Sequence, residues 1–107
     1  MPIPELNRRA AERKLQQFCR ERAPRALDPA VRLTYTFDAD GVTLSEEAPG
    51  VAPLPLARFR FTVELGQWSL HRPDPRGWVL DRSIPPALDF DRLLAYLDQD
   101  PFKHYWK

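Results

Sequence analysis

The chain has 107 residues, of which 43% are hydrophobic and 29% are charged, and its formal net charge is +1. This length suits one hydrophobic core, so we predict a single domain over residues 1–107, and the composition excludes a disordered chain. The single cysteine excludes an internal disulfide. No apolar run reaches the roughly 20 residues of a membrane span or forms the core of a signal peptide. We therefore predict a cytoplasmic protein without a membrane partner.

The first predicted element is a basic helix over residues 4–22, rich in strong helix formers and bounded by prolines. Its apolar stripe is predicted to contain Leu6, Ala10, Ala11, Leu15, Phe18, Cys19 and Arg22. Residues 1–25 carry seven Arg or Lys against three Glu, a surplus of four positive charges. We interpret this surplus as a solvated face, with a nucleic-acid or acidic partner as the alternative.

A β-hairpin follows, because residues 31–47 alternate between apolar and polar side chains around an Asp-Gly pair. The apolar side is predicted to carry Val31, Leu33, Tyr35 and Phe37. With Asp40 and Gly41 as a two-residue loop, Phe37 would lie opposite Leu44. Residues 48–55 are then predicted to be a proline-rich connection running over the surface or along a sheet edge.

Three further strands are predicted in the stretches LARFRF, QWSLHR and GWVLDR, the last two joined by the turn PDPRG. Their inward residues are predicted to be Phe59, Phe61, Trp68, Leu70, Trp78 and Leu80. No connection is long enough for a crossover helix, so all five strands should form an antiparallel meander.

The last predicted element is a second amphipathic helix with Asp89 as its N-cap, which Pro101 ends. Its apolar side should carry Leu88, Phe90, Leu93, Leu94 and Leu97. Because a sheet with one apolar face must cover it, we predict an α+β fold in which the N-terminal and C-terminal helices pack on one face of the five-stranded sheet.

The chain from LARFRF through IPPALDFDRLLAYLDQDPFKHYW, together with FCRERAP and VRLTYTF before it, resembles the bacterial family named Domain of Unknown Function 3024. The likeness covers nearly the whole chain and consists of a pattern of positions. One departure is Thr62-Val63, where the family often has an Asp-Pro pair. The resemblance implies no activity, substrate or catalytic residue.

The aromatic tail DPFKHYWK is either part of the core or an exposed patch for a partner. The resemblance implies that Tyr105 and Trp106 are built in, because family members tend to end in a similar tail. We therefore favour a core role, in which Phe102 and Trp106 cover the end of the sheet and Tyr105 and His104 contribute less. A binding patch stays the alternative.

Catalytic, cofactor and metal sites are not predicted. The four glycines are isolated, which excludes a phosphate-binding P-loop, and Cys19, His71 and His104 lie in three different elements without ligand spacing. Cys19 lies on the predicted core stripe, where a thiol is inert. We therefore predict that the protein is not an enzyme.

The remaining candidate is the uncovered sheet face, predicted to display Arg32, Thr34, Thr36, Thr43, Ser45, Glu47, Arg58, Arg60, Thr62, Ser69, His71 and Asp81. The candidate partner-binding residues are Arg32, Arg58, Arg60, His71, Tyr105 and Trp106. The leading hypothesis is a non-enzymatic interaction or regulatory module with an unidentified protein partner, either monomeric or weakly dimeric. A weak nucleic-acid binder that uses the basic helix and the face arginines is the alternative, disfavoured because the aromatics should point inward, and a small hydrolase ranks third.

Overall fold

The computed structural model describes residues 2–22 and 30–106. Its elements are α1 (Glu5–Arg22), β1 (Arg32–Phe37), β2 (Gly41–Glu47), β3 (Leu54–Thr62), β4 (Gln67–Asp74), β5 (Gly77–Leu80) and α2 (Phe90–Gln99). The strands lie in the order β1-β2-β3-β4-β5, and each is antiparallel to its neighbours. The predicted α+β fold with a five-stranded antiparallel meander and a helix at each end is confirmed.

The hairpin of β1 and β2 has a register that differs by two residues from the predicted one. Phe37 pairs with Val42 and not with Leu44, so the loop is Ala39–Asp40. Because the shift is an even number of residues, each side chain keeps its predicted face. Val42 and Leu44 are both fully buried.

The side chain of Asp38 determines where this turn lies. Its Oδ1 accepts hydrogen bonds from the N–H groups of Asp40 at 2.9 Å and Gly41 at 3.0 Å, an Asx turn that closes the loop one residue early. Gly41 is then placed inside the sheet, where an added Cβ would collide with the carbonyl oxygen of Phe59 on β3. The glycine is therefore required by close strand packing.

The predicted connection over residues 48–55 is shorter in the structure, because β3 begins at Leu54. Leu54 pairs with Glu46 and Pro55 with Ser45, beyond a bulge in β3 where Leu56 is the extra residue between Pro55 and Ala57. A bulge is one of the few places where a sheet tolerates proline, since the extra residue leaves the ladder locally unpaired.

The inward orientation predicted for Trp78 and Leu80 is wrong. Pro73 pairs with Trp78 and His71 with Leu80, so these side chains share the face of His71, away from the core. Asp81, which was expected on the uncovered face, is buried instead. The side-chain alternation of β5 is shifted by one residue from the predicted one, and this shift reverses the face of Trp78, Leu80 and Asp81.

Helix α1 buries Ala11 and Leu15, with Phe18 and Cys19 partly buried beside them. Leu6, predicted on the same stripe, is exposed. The reason is helical geometry, since Leu6 lies five positions before Ala11 and is therefore about 140° away from it around the helix axis. Ile3 is buried in its place, before the helix begins, and its N–H donates to the carbonyl of Ala39 at 2.9 Å.

Helix α2 begins at the predicted N-cap. The Asp89 side chain accepts a hydrogen bond from the N–H of Asp91 at 3.0 Å. Leu88 precedes the cap and is exposed, contrary to its predicted place on the apolar side, whereas the other four predicted residues are buried, namely Phe90, Leu93, Leu94 and Leu97. Neither α1 nor α2 is both long enough and apolar enough to cross a membrane.

The core lies between the helices and one face of the sheet. Helix α1 contacts β1 and α2, and α2 contacts β4. The sheet contributes buried side chains from β2, β3 and β4, namely Val42, Leu44, Ala57, Phe59, Phe61, Trp68 and Leu70. Neither helix covers the opposite side of the sheet, which we call the open face.

Candidate functional site

One row of side chains crosses all five strands of the open face. Thr36 pairs with Thr43, Thr43 with Arg58, Arg58 with His71, and His71 with Leu80. Directly paired residues in neighbouring antiparallel strands lie on the same face, so these five form a continuous line. The line is polar at β1 and β2, basic in the middle and apolar at β5.

Arg58 is held within the protein by an ion pair. Its Nη1 and Nη2 atoms donate to the two carboxylate oxygens of Asp38 at 2.7 and 3.0 Å, and Nη1 also donates to Thr43 Oγ1 at 3.1 Å. The hydrogen bonds from Arg58, together with those from the backbone N–H groups of Asp40 and Gly41, lower the pKa of Asp38 to about 2. Arg58 is therefore neutralised by a bidentate partner and is not a free cation of the open face.

Arg60 and His71 differ from Arg58 in this respect. Arg60 is exposed and has no carboxylate partner among the described residues. His71 is half-buried, and a ring nitrogen lies 3.0 Å from Ser69 Oγ. Burial lowers the pKa of His71, and the positive charges of Arg60 and Arg58 lower it further, so its imidazole is neutral at pH 7.

Trp78 and Leu80 form an apolar patch at the β5 end of the open face. The exposed fraction is 37% for Trp78 and 41% for Leu80, although both are side chains that folded proteins usually bury. Val79 between them points to the other side of the sheet and is also exposed. The patch was missed in the sequence because both residues were assigned to the core.

The outer edge of β5 carries backbone groups without a strand partner. The N–H of Asp81 donates to the carbonyl of Leu70 at 2.9 Å, which sets the alternation of the ladder with β4. By that alternation Val79 directs its N–H and C=O toward β4, and Trp78 and Leu80 direct theirs away. Since β5 is last in the strand order, these outward groups meet no further strand of the described chain.

Positive charge surrounds this edge. Arg72 pairs with Val79, Arg76 lies in the turn before β5, and Arg82 follows it. None of the three has a carboxylate partner in the part of the chain that the structure describes. The nearby Asp74 accepts a hydrogen bond from the backbone N–H of Arg76 at 3.0 Å. The exposed charge at this edge is therefore mainly basic.

The C-terminal tail, residues 101–106, is held by the carboxylate of Asp100. This carboxylate accepts backbone hydrogen bonds from His104 at 2.8 Å, Tyr105 at 3.1 Å and Trp106 at 2.9 Å. Asp100 is itself buried and caps α2 in the left-handed conformation, with φ 42°. The turn after Pro101 is thus closed by one side chain.

Tyr105 belongs to the core and offers no binding surface. Its side chain is only 2% exposed, and its hydroxyl donates to Asp81 Oδ2 at 2.7 Å. Burial raises the pKa of Tyr105, and the hydrogen bond to Asp81 raises it further. The second carboxylate oxygen of Asp81 accepts the N–H of Ser83 at 2.9 Å, so the buried carboxylate has donors on both oxygens.

Trp106 is partly buried between the helices. Its Nε1 donates to the carbonyl of Leu97 at 2.7 Å, and the guanidinium carbon of Arg22 lies 3.9 Å from the ring centroid. Phe18 contacts the same ring, with centroids 6.3 Å apart. Phe102, in contrast, is 60% exposed, so the prediction that it covers the sheet is wrong.

The structure therefore brings together three of the six predicted binding residues, namely Arg58, Arg60 and His71. Arg32 lies on β1, the far edge of the sheet, where its Nη2 is 3.8 Å from Glu47 Oε2. The two tail candidates lie on the opposite side of the sheet, with the core. The open face at β3 to β5 is the stronger candidate site.

Cys19 and His71, which were considered for nucleophilic catalysis, lie on opposite sides of the sheet. Burial raises the pKa of the Cys19 thiol to about 11, and Cys19 packs against the core, whereas His71 lies on the open face. Among residues 2–22 and 30–106, no group of three or more His, Cys, Asp or Glu side chains has the arrangement to hold a metal ion.

A groove of about 410 Å³ lies between α1 and α2. Its charges are paired across the helices, since Lys14 Nζ lies 3.2 Å from Asp89 and 3.1 Å from Asp91, and Arg22 Nη1 lies 2.6 Å from Asp98. The groove is consequently a helix–helix contact closed by ion pairs, and it is a weaker candidate than the open face.

A family model described as "Domain of unknown function (DUF3024)" matches residues 3–107. No curated protein and no solved structure matches the chain. The family description assigns no activity.

Proposed function

The chain belongs to the DUF3024 family, and we propose that it is a non-enzymatic binding module that takes up a protein partner on its open face. The observation that carries the proposal is the exposed apolar patch of Trp78 and Leu80, which lies next to His71 on the face that also carries Arg60. An exposed apolar patch often marks a protein-binding surface, and tryptophan and arginine are enriched at the energetic centres of such surfaces.

The non-enzymatic part of the proposal is supported by the separation of reactive groups. The raised pKa of Cys19 keeps its thiol protonated, and its position on the core side leaves it far from the imidazole of His71. We also propose a cytoplasmic location, which is supported by the single unpaired cysteine.

A nucleic-acid partner is the second candidate, favoured by one observation. Trp78 offers an aromatic ring on a face that also carries Arg60, the combination that stacks on bases and contacts phosphates. Against it, Arg58 is held by Asp38, so the face has fewer free cations than its sequence suggests. Binding that weakens steeply with salt would favour this candidate.

The proposed function is tested by affinity capture from the cells that express the protein. The open-face variant Arg60→Glu/Trp78→Ser changes one exposed arginine and one exposed apolar residue. Its matched control, Leu6→Ser/Arg13→Glu, makes the same two kinds of change on the exposed side of α1. We expect the same partner proteins with the wild type and the control, and their loss with the open-face variant.

Nuclease treatment before capture separates the two candidates. Under the proposed function the captured proteins persist after nuclease, because the contact is between proteins. Equal capture by both variants would contradict the use of the open face, and capture that depends wholly on nucleic acid would favour the second candidate.

A further inference from the structure

We propose that the partner contributes an extended acidic segment that adds a sixth strand along the outer edge of β5. This inference rests on the proposed function and names the kind of partner and its mode of binding. The outward N–H and C=O groups of Trp78 and Leu80 supply the backbone hydrogen bonds that such a strand requires.

The two edges of the sheet differ in how they are protected. Edge strands are commonly blocked by a proline, a charged side chain or a covering element. At the β1 edge, α1 contacts the strand, and Tyr35 donates from its hydroxyl to Glu12 of α1 at 3.4 Å. Residues Gly77–Leu80 contain no proline and no charge, and neither helix contacts β5 closely. The β5 edge is therefore the more open template for pairing.

Charge complementarity determines the chemistry of the segment. Arg72, Arg76 and Arg82 surround β5 without carboxylate partners in the described chain, and of the neighbouring acids Asp74 is half-buried and Asp81 is buried. A segment with glutamate or aspartate side chains would neutralise these arginines, whereas a basic segment would be repelled.

A second copy of this chain fits the edge poorly. Antiparallel self-pairing centred on Val79 would set Trp78 against Leu80, and it would bring Arg76 of one copy toward Arg82 of the other. Like charges facing each other across a strand pair are destabilising. The arginines thus disfavour a dimer through β5 and favour an acidic partner.

Successive side chains of an added strand would lie on opposite faces of the sheet, which determines the residue types expected in it. Every second side chain would lie on the open face beside Trp78 and Leu80, and those positions favour apolar residues. The remaining side chains would lie on the side of Val79 and Arg72, where a carboxylate could form an ion pair with Arg72. The segment expected is one in which acidic and apolar residues alternate.

The test measures binding of fluorescently labelled eight-residue peptides by anisotropy. The probe alternates valine and glutamate, and the comparison peptides alternate valine and lysine or carry a proline at the centre of the valine–glutamate sequence. A labelled single-stranded oligonucleotide is measured in parallel. We expect saturable binding of the valine–glutamate peptide, and weaker binding of every other probe.

Two pairs of variants locate the contact. Leu80→Pro removes an outward N–H but no hydrogen bond between β4 and β5. Its control, Leu80→Ala, also removes the leucine side chain but keeps the N–H. Arg76→Glu/Arg82→Glu reverses charge at the edge, and Arg13→Glu/Arg20→Glu makes the same change on α1. We expect Leu80→Pro to weaken binding about tenfold relative to Leu80→Ala, and the edge charge reversal to weaken it about tenfold relative to its control.

Equal affinity of Leu80→Pro and Leu80→Ala would overturn strand addition, and equal affinity of the two charge reversals would overturn the acidic partner. If Leu80→Pro does not fold, the peptide with a central proline still tests strand addition, because binding equal to that of the valine–glutamate peptide would overturn it. Absence of peptide binding, with partner capture still lost in Arg60→Glu/Trp78→Ser, would overturn strand addition and leave the proposed function standing. Preferential binding of the oligonucleotide would overturn this inference as well.

Discussion

Tyr105→Ala is expected to destabilise the protein by about 3–5 kcal/mol, the usual loss when a buried aromatic is truncated in a core. Tyr105 is 2% exposed and belongs to the hydrophobic core, which also contains residues of both helices and the sheet. The substitution also leaves Asp81, a buried carboxylate, without the hydroxyl that donates to it at 2.7 Å. Urea unfolding followed by tryptophan fluorescence gives the free energy of unfolding.

Phe102→Ala is the matched control for this prediction. It truncates another aromatic of the same tail, but Phe102 is 60% exposed, so the free energy of unfolding should change by no more than about 0.5 kcal/mol. Tyr105→Phe isolates the hydroxyl and should lose about 1–3 kcal/mol. Equal effects of the two alanine substitutions would show that Tyr105 is not part of the core.

Asp100→Ala is expected to destabilise the protein by about 3 kcal/mol or more, because three backbone donors of the tail lose one charged acceptor together. Alanine also tolerates the left-handed conformation of this position less well than aspartate does, since φ is 42°. Loss of the turn would release Tyr105 and Trp106 from their sites. The measurement is again the free energy of unfolding.

Two further substitutions separate the carboxylate from the backbone conformation. Asp100→Gly accepts a positive φ without strain and lacks the acceptor, so it should stay well below the wild type in stability. Asp100→Asn keeps one acceptor oxygen and tolerates the left-handed region, and should lose less than Asp100→Ala. A glycine variant as stable as the wild type would mean that the carboxylate contributes nothing.

Side-chain alternation allowed most of the fold to be predicted from the sequence. The faces of Leu33, Tyr35, Phe59, Phe61 and Leu70 follow from a period of two, which depends only on neighbours in the chain. The β1–β2 register was wrong by two residues because the Asx turn at Asp38 was not recognised, yet the faces were kept.

The β5 assignment failed because a shift by one residue reverses every side chain. A signal was present in the sequence, since Asp74-Pro75-Arg76-Gly77 has the residue preferences of a two-residue turn with proline at its second position. That turn pairs Asp74 with Gly77 and sends Trp78 to the open face. Reading it correctly would have revealed the apolar patch.

The role of the tail was predicted in outline, but its contacts were not. Tyr105 is more buried than Trp106, although the sequence analysis predicted a larger core role for Trp106. The buried hydroxyl of Tyr105 donates to Asp81, which lies 24 residues earlier in the chain. Likewise, the pairing of Arg58 with Asp38 spans 20 residues. Residues that come into contact only when the sheet folds show no periodic pattern in the sequence from which their contact could be predicted.

Amide hydrogen exchange of β5 in the free protein tests the open edge most directly. The N–H of Val79 is directed to β4, and those of Trp78 and Leu80 are directed outward, so the three neighbouring amides should differ sharply. We expect protection at Val79, with Trp78 and Leu80 exchanging at nearly the rate of an unstructured peptide. Comparable protection of all three would contradict the account, because the edge would then already be covered.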